Sequence, residues 1–124
     1  MDVVDVIDRY CAVWSDPDSS RRAALLAQVW AEGATYTDPT AHLVGAAGLL
    51  AHIERIMTKR PGGKVLRTSE LDVHHGAVRF AWKAVDADGA TLRDGIDLVL
   101  LSKDERKIER IVGFFGELEP LGAA

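Results

Sequence analysis

The chain contains a single cysteine, Cys11, which excludes an intramolecular disulfide framework and a multi-cysteine zinc site. No window approaches the ~20 apolar residues that a bilayer span requires. The opening Met1-Asp2-Val3-Val4-Asp5 lacks the basic segment and apolar run of a secretory signal. The expectation is a cytoplasmic protein with no membrane partner. Basic residues are also short: 15 Lys and Arg stand against 19 Asp and Glu, a net charge of -4. That argues against nucleic acid as a partner, because phosphate binding needs a basic surface. There is no phosphate loop, dinucleotide fingerprint or serine-hydrolase elbow, and no cofactor is expected.

What is present is an ordinary globular composition, 48% hydrophobic and 27% charged over 124 residues. That length predicts one domain, residues 1–124. It buries roughly two-thirds of its unfolded surface, enough for a core that needs neither disulfide nor metal.

Val3, Val6, Ile7, Tyr10, Cys11 and Trp14 recur at helical spacing and predict a first helix over residues 2–15. Asp16-Pro17 stops it. A second helix over 19–32 follows the N-capping residues Asp18, Ser19 and Ser20, with Gly33 as its stop. Ala34 to Pro39 reads as a short strand, and Leu49, Leu50, Ile53, Ile56 and Met57 mark a third helix over 46–59. Beyond Lys64 the apolar period becomes two. Strands are predicted over Val65–Glu70, around Val78-Phe80-Trp82-Ala84, over Thr91–Leu101 and over Ile108–Phe115, with a hairpin turn at Asp86-Ala87-Asp88-Gly89. Helices first and an antiparallel sheet after them define an α+β plan, in which helices on one face of a curved sheet enclose a cone-shaped space.

Three polar residues fall in apolar settings. Asp97 lies in Gly95-Ile96-Asp97-Leu98-Val99-Leu100-Leu101, where either strand face is apolar. It is therefore desolvated, and able to stay protonated as a donor, or paired across the sheet with Arg79, Arg93 or Arg110, or at the strand's wet end. Asp38 precedes Pro39 at a strand end, where it is a base or a turn residue. Tyr10 shares the apolar face of the first helix, and its hydroxyl needs a partner. His52 on the third helix faces a cavity or packs structurally. His74-His75 is not at a metal-ligand spacing, because adjacent strand residues point to opposite faces, and Cys11 reads as inert packing.

Together these residues resemble the nuclear transport factor 2-like superfamily, the SnoaL-like and ketosteroid isomerase-like cone-shaped α+β domains. The resemblance runs from Val6 to Glu117 through four stretches. These are Asp8-Arg9-Tyr10 to Trp14, then Trp30 to Pro39, then Leu43-Val44-Gly45, and finally Ile96-Asp97 with Lys107 to Gly116. It implies three helices packed on a curved, mostly antiparallel sheet around a pocket, and a homodimer formed through the sheet. Matched to ketosteroid isomerase, Asp38 stands at the position of the base, with Tyr10 and a protonated Asp97 at the two donor positions. Limonene epoxide hydrolase matches less well, since its Asp-Arg-Asp set has no counterpart, although Arg93 and Asp97 share a strand face. The expected function is binding of a small apolar carbonyl compound, with isomerase or cyclase chemistry by proton transfer. The alternative is a non-catalytic binding or dimerisation domain of the same fold. Trp14, Trp30, Tyr36, His52, Phe80, Trp82 and Phe114, with Phe115, are the expected pocket wall.

Overall fold

The computed structural model describes residues 1–122. Three helices, α1 (Val3–Val13), α2 (Ser19–Val29) and α3 (Gly45–Lys59), pack on one face of a seven-stranded sheet. The strands are β1 (Trp30–Asp38), β2 (Ala41–Val44), β3 (Lys64–Arg67), β4 (Asp72–His74), β5 (Ala77–Val85), β6 (Thr91–Leu101) and β7 (Ile108–Phe115). Their order is β2-β1-β7-β6-β5-β3, with β4 pairing β5 off this path. Only β1 and β7 run parallel; the remaining pairs are antiparallel. Register shifts between Trp30 and Thr35, Ala84 and Val85, and Leu100 and Leu101 interrupt the ladders. Such shifts bend the strands that carry them and help to curve the sheet. Among the described residues no helix is long and apolar enough to cross a membrane.

Local chemistry explains where the helices begin. Asp2 caps α1 by accepting from the Asp5 N–H while Asp5 reaches back to the Asp2 N–H, a reciprocal capping box. Asp18 caps α2, accepting from the N–H groups of Ser20 and Arg21. The apolar face of α1 is fully committed to the core, with Val6, Ile7 and Val13 at 0% exposure and Tyr10 at 2%. Burial of each such side chain stabilises by about 1.5–3 kcal/mol. Ser15, just beyond α1, anchors the helix to the sheet edge by accepting from the Val65 N–H and donating to the Val65 carbonyl. Buried Arg22 ties α2 to α3 through the Glu54 carboxylate.

Several boundaries differ from the sequence expectation. The second helix ends at Val29, not at 32, because Trp30 pairs with Ile108 and is drawn into β1. Gly33, at φ 73°, is then part of an irregularity in β1 and not a helix stop. The β3 strand ends at Arg67. β2 and β4 were not expected at all; both are short hairpin arms whose few residues carry no periodic signal. The β4–β5 hairpin explains the His-His-Gly run. His75 (φ 49°) and Gly76 (φ 75°) are the two central turn residues between His74 and Ala77, and left-handed backbone at both is what a tight hairpin of this twist requires. The Asp86–Gly89 turn forms as expected, with Asp86 accepting from the N–H groups of Asp88 and Ala90.

Alternation along β6 decides what faces the helices. Gly95, Asp97, Val99 and Leu101 point inward, while Ile96, Leu98 and Leu100 point outward and remain about 42% exposed. Val99 and Leu101, with Val78, Phe80 and Trp82 of β5 and Ile111 of β7, belong to the core beneath the helices. At one end this core opens into a cavity.

Candidate functional site

The cavity has a volume of about 380 Å³. Its inner wall comes from Tyr10, Cys11 and Trp14 of the first helical segment, Tyr36 and Asp38 of β1, and His52 of α3. Phe80, Trp82, Asp97 and Phe115 complete it from the sheet. All three residues expected to carry chemistry therefore line one space.

Their convergence has a simple cause. β7 lies between β1 and β6, and the residue of β7 that sits between the two acids is Gly113. A Cβ at Gly113 would lie 2.9 Å from Asp97 Oδ1 and 3.5 Å from Asp38 Cβ. Both aspartates thus sit beside a strand position that has no side chain. Their backbones are two strand spacings apart, roughly 9–10 Å.

The two acids have opposite environments. Asp38 accepts from the Tyr36 hydroxyl on Oδ2 at 2.7 Å, and from the Thr40 N–H and hydroxyl on Oδ1, each at 2.7 Å. Partial burial raises its pKa, but the Tyr36 and Thr40 hydrogen bonds together outweigh this, and the carboxyl ends below its usual range. It is a carboxylate at neutral pH. Tyr36 is held far above the ordinary phenol range, first by burial and then by its bond to Asp38, so it stays a donor. Asp97 is 6% exposed. Burial pushes its pKa up to about 7; the Trp82 indole hydrogen bond opposes this and the Asp38 charge adds to it. Among the described residues its carboxyl accepts one hydrogen bond, from Trp82 Nε1 to Oδ1 at 3.0 Å. Among the described residues it has no cationic partner, so the ion-pair alternative with Arg79, Arg93 or Arg110 is not what the fold builds. The reason is register: Arg79 pairs with Leu98 and Arg110 with Leu100, both on the outer face.

Tyr10 is buried, and among the described residues its hydroxyl has no partner at hydrogen-bond distance, Trp14 being near it. Burial, then the nearby Asp97, holds its pKa well above the ordinary value, so it too keeps its proton. A buried hydroxyl without a partner is uncommon and costly; here it belongs to a residue that lines the cavity. Trp14, Tyr36 and His52 form an aromatic corner, with ring centroids 5.4 to 6.4 Å apart. Burial lowers the His52 pKa, against the pull of Asp38 and with help from Arg55. Cys11 lines the wall as a thiol pushed up to about 12 by burial and by Asp97 and Asp8, in keeping with inert packing.

Two expected wall residues lie elsewhere. Trp30 sits in the core, its ring stacked on Tyr10 at 6.1 Å between centroids, because it opens β1 beneath α1 and does not reach the cavity. Phe114 is 58% exposed on the outer sheet face, opposite Ile96; its neighbour Phe115 takes the inner position. Two adjacent phenylalanines leave the strand parity undecided, and the pairing of Asp97 with Gly113 resolves it. The sequence reading also passed over Thr40, Gly95 and Gly113. A glycine at an inward strand position was the available signal for the last two, since it marks a close approach of another group. His74 and His75 lie in the β4–β5 hairpin and do not line the cavity, and no group of three potential ligands among the described residues could hold a metal ion.

Three helices on an open, mostly antiparallel curved sheet, with a cavity between them, define a nuclear transport factor 2-like α+β cone. Solved structures agree. An isomerase, provisionally assigned, of the SnoaL-like family from Agrobacterium tumefaciens strain C58 superimposes with a TM-score of 0.84 at 33% identity, covering 92% of this chain and 97% of that one. The chain belongs to the SnoaL-like family. A polyketide cyclase, also provisionally assigned, from Sinorhizobium meliloti aligns at TM-score 0.68 and 14% identity over 88% of this chain and 93% of its own. An NTF2-like protein of unknown function from Cytophaga hutchinsonii aligns at 0.69 and 14%, over 94% and 91%. Neither a protein-family model nor a curated protein matches the chain.

Proposed function

We propose that the protein catalyses proton transfer on a small apolar carbonyl compound, as an isomerase or cyclase that needs no cofactor. The carrying observation is that Asp38 and Asp97 flank Gly113 in the same apolar cavity as an unpartnered Tyr10 hydroxyl. Asp38, as a carboxylate, removes a proton from the carbon next to the carbonyl. The electron pair moves onto the carbonyl oxygen, which receives hydrogen bonds from Tyr10 and from protonated Asp97. In an isomerisation Asp38 returns the same proton at a second carbon, so nothing is gained or lost. In a cyclisation the enolate carbon instead attacks a second carbonyl carbon, whose π pair moves onto its oxygen, and that oxygen takes the proton back from Asp38. Trp14, Tyr36, Phe80, Trp82 and Phe115 supply the surface against which a flat substrate lies. The names of the Agrobacterium and Sinorhizobium proteins support both versions.

The test is deuterium exchange. In D2O, the protein should speed exchange of the α-protons of 3-cyclohexenone, read by proton NMR. Asp38→Asn should lower that rate by about 10² or more, the usual contribution of a positioned base. Exchange no faster than buffer, or unaffected by D38N, rules the reading out. One observation favours a second reading, binding without turnover: three hydrogen bonds already occupy Asp38 and weaken it as a base. Under that reading cyclic ketones raise the melting temperature without any exchange.

We also propose that a second copy of the chain covers the outer sheet face. Ile96, Leu98, Leu100 and Phe114 form its exposed apolar row. Lys83 opposite Asp94, and Asp72 bonded to Arg79, edge it with both signs of charge. A two-fold arrangement would set that patch against itself, acid to base.

A further inference from the structure

The cavity is chemically uneven from end to end. Tyr10, Asp38 and Asp97 occupy the inner part. The outer part is lined by Arg60, at the end of α3, and Arg93 of β6, beside half-exposed Ile56 and Leu92. Arg93, Gly95 and Asp97 alternate along β6 on the same face, so Arg93 stands about 13 Å from Asp97 along the strand.

What lies between them is apolar. A Cβ at Gly95 would come within 2.7 Å of the Trp82 ring, so the indole lies directly against the bare strand. Its Nε1 reaches Asp97, and its ring meets Phe115 edge-on at 6.0 Å between centroids. The Arg93 guanidinium in turn stacks 4.0 Å over the Phe115 ring. The result is a continuous aromatic floor with a neutral-to-acidic centre at one end and a fixed cation at the other.

Arg93 packs on Phe115, but among the described residues no carboxylate answers its charge. Arg21, Arg22, Arg67 and Arg79 each meet a carboxylate. Among the described residues the other six arginines, Arg9, Arg55, Arg60, Arg93, Arg106 and Arg110, meet none, and of these Arg60 and Arg93 line the cavity. A guanidinium stacked on an aromatic face keeps its N–H fork free at the edge, and that fork matches a carboxylate in two parallel hydrogen bonds.

We propose that the substrate is an acid: an apolar carbonyl compound that carries a carboxylate at the end remote from the enolising carbon, gripped by Arg93 with Arg60 beside it. This deepens the proton-transfer reading and rests on it. The separation has a physical use, because a carboxylate close to Asp38 would be repelled by it and would oppose enolate formation at the same place.

Calorimetric titration with 4′-hydroxybiphenyl-4-carboxylic acid and with its methyl ester tests the proposal. The phenol stands in for the enolate at the inner end, and the second ring carries the acid towards the mouth. The acid should bind about tenfold more tightly than the ester, the low end for a charge-assisted hydrogen bond. That ratio should shrink with added salt, fall towards one in Arg93→Gln, and fall partly in Arg60→Gln. Equal affinities for acid and ester, or an undiminished ratio in the R93Q/R60Q double variant, overturn the anion-binding inference while leaving proton transfer intact. Failure of both compounds to bind overturns the ligand-pocket reading and this inference with it.

Discussion

Replacing Asp97 by Asn should make the protein more stable at neutral and alkaline pH. The folded chain holds the Asp97 proton to about pH 7, whereas an ordinary aspartate releases it near 3.8. Between those values the folded state binds more protons than the unfolded one, so stability falls as pH rises. The loss begins above about pH 4 and is complete above pH 7. Its full size is on the order of 4 kcal/mol, from 1.36 kcal/mol per pH unit across that interval. Asparagine has the same shape, keeps an oxygen for the Trp82 N–H and never ionises. Urea unfolding followed by tryptophan fluorescence, run on both proteins at pH 4, 6 and 8, reads the effect. The two should be nearly equal at pH 4, and the variant's midpoint should lie well above the wild type's at pH 8. A gap independent of pH, or a variant less stable than wild type at pH 8, would show that Asp97 ionises without penalty. Its assignment as a neutral donor would then fail.

Tyr10→Phe removes a hydroxyl that has no partner, so the variant should be as stable as wild type or more so, by up to about 1–2 kcal/mol. It should nevertheless bind 4′-hydroxybiphenyl-4-carboxylic acid more weakly; a large fall in melting temperature would show that the hydroxyl has a structural partner. Gly113→Ala places a methyl group 2.9 Å from Asp97 Oδ1 without left-handed strain, and should cost about 1–3 kcal/mol as overpacking does. It should also lower deuterium exchange below the wild-type rate, measured on protein shown to be folded by circular dichroism. If the outer face forms the proposed dimer, the wild type should sediment as a dimer and Phe114→Lys, which adds a charge to the middle of that face, as a monomer with its fold unchanged. An unaltered sedimentation coefficient rejects that face as the contact.

The α+β plan, the three helices and the long strands β5, β6 and β7 could be read from the order of residues. Their apolar periods are long enough to be unambiguous, and Asp18 and Asp86 mark caps and turns by local chemistry alone. The short strands β2 and β4 could not be read, because three or four residues carry no period. Their existence depends on β1 and β5 offering an open edge. The end of α2 was misplaced for a related reason: residues 30–32 suit a helix locally, but pairing of Trp30 with Ile108, distant in sequence, takes precedence.

Within the site, the sequence by itself determined which residues had to be unusual. An aspartate inside an apolar strand must be buried, paired or at a wet strand end, and an aspartate before proline suits a chain reversal. Tertiary structure decided what those facts mean. Only the placement of β7 between β1 and β6 brings Asp38 and Asp97 together over Gly113, and only register turns Arg79 and Arg110 away from Asp97. Strand parity admits Phe115 to the cavity and excludes Phe114, while the reach of β1 buries Trp30 beneath Tyr10. These are contacts between residues far apart in the chain, set by strand order and one-residue register, and no local preference encodes them.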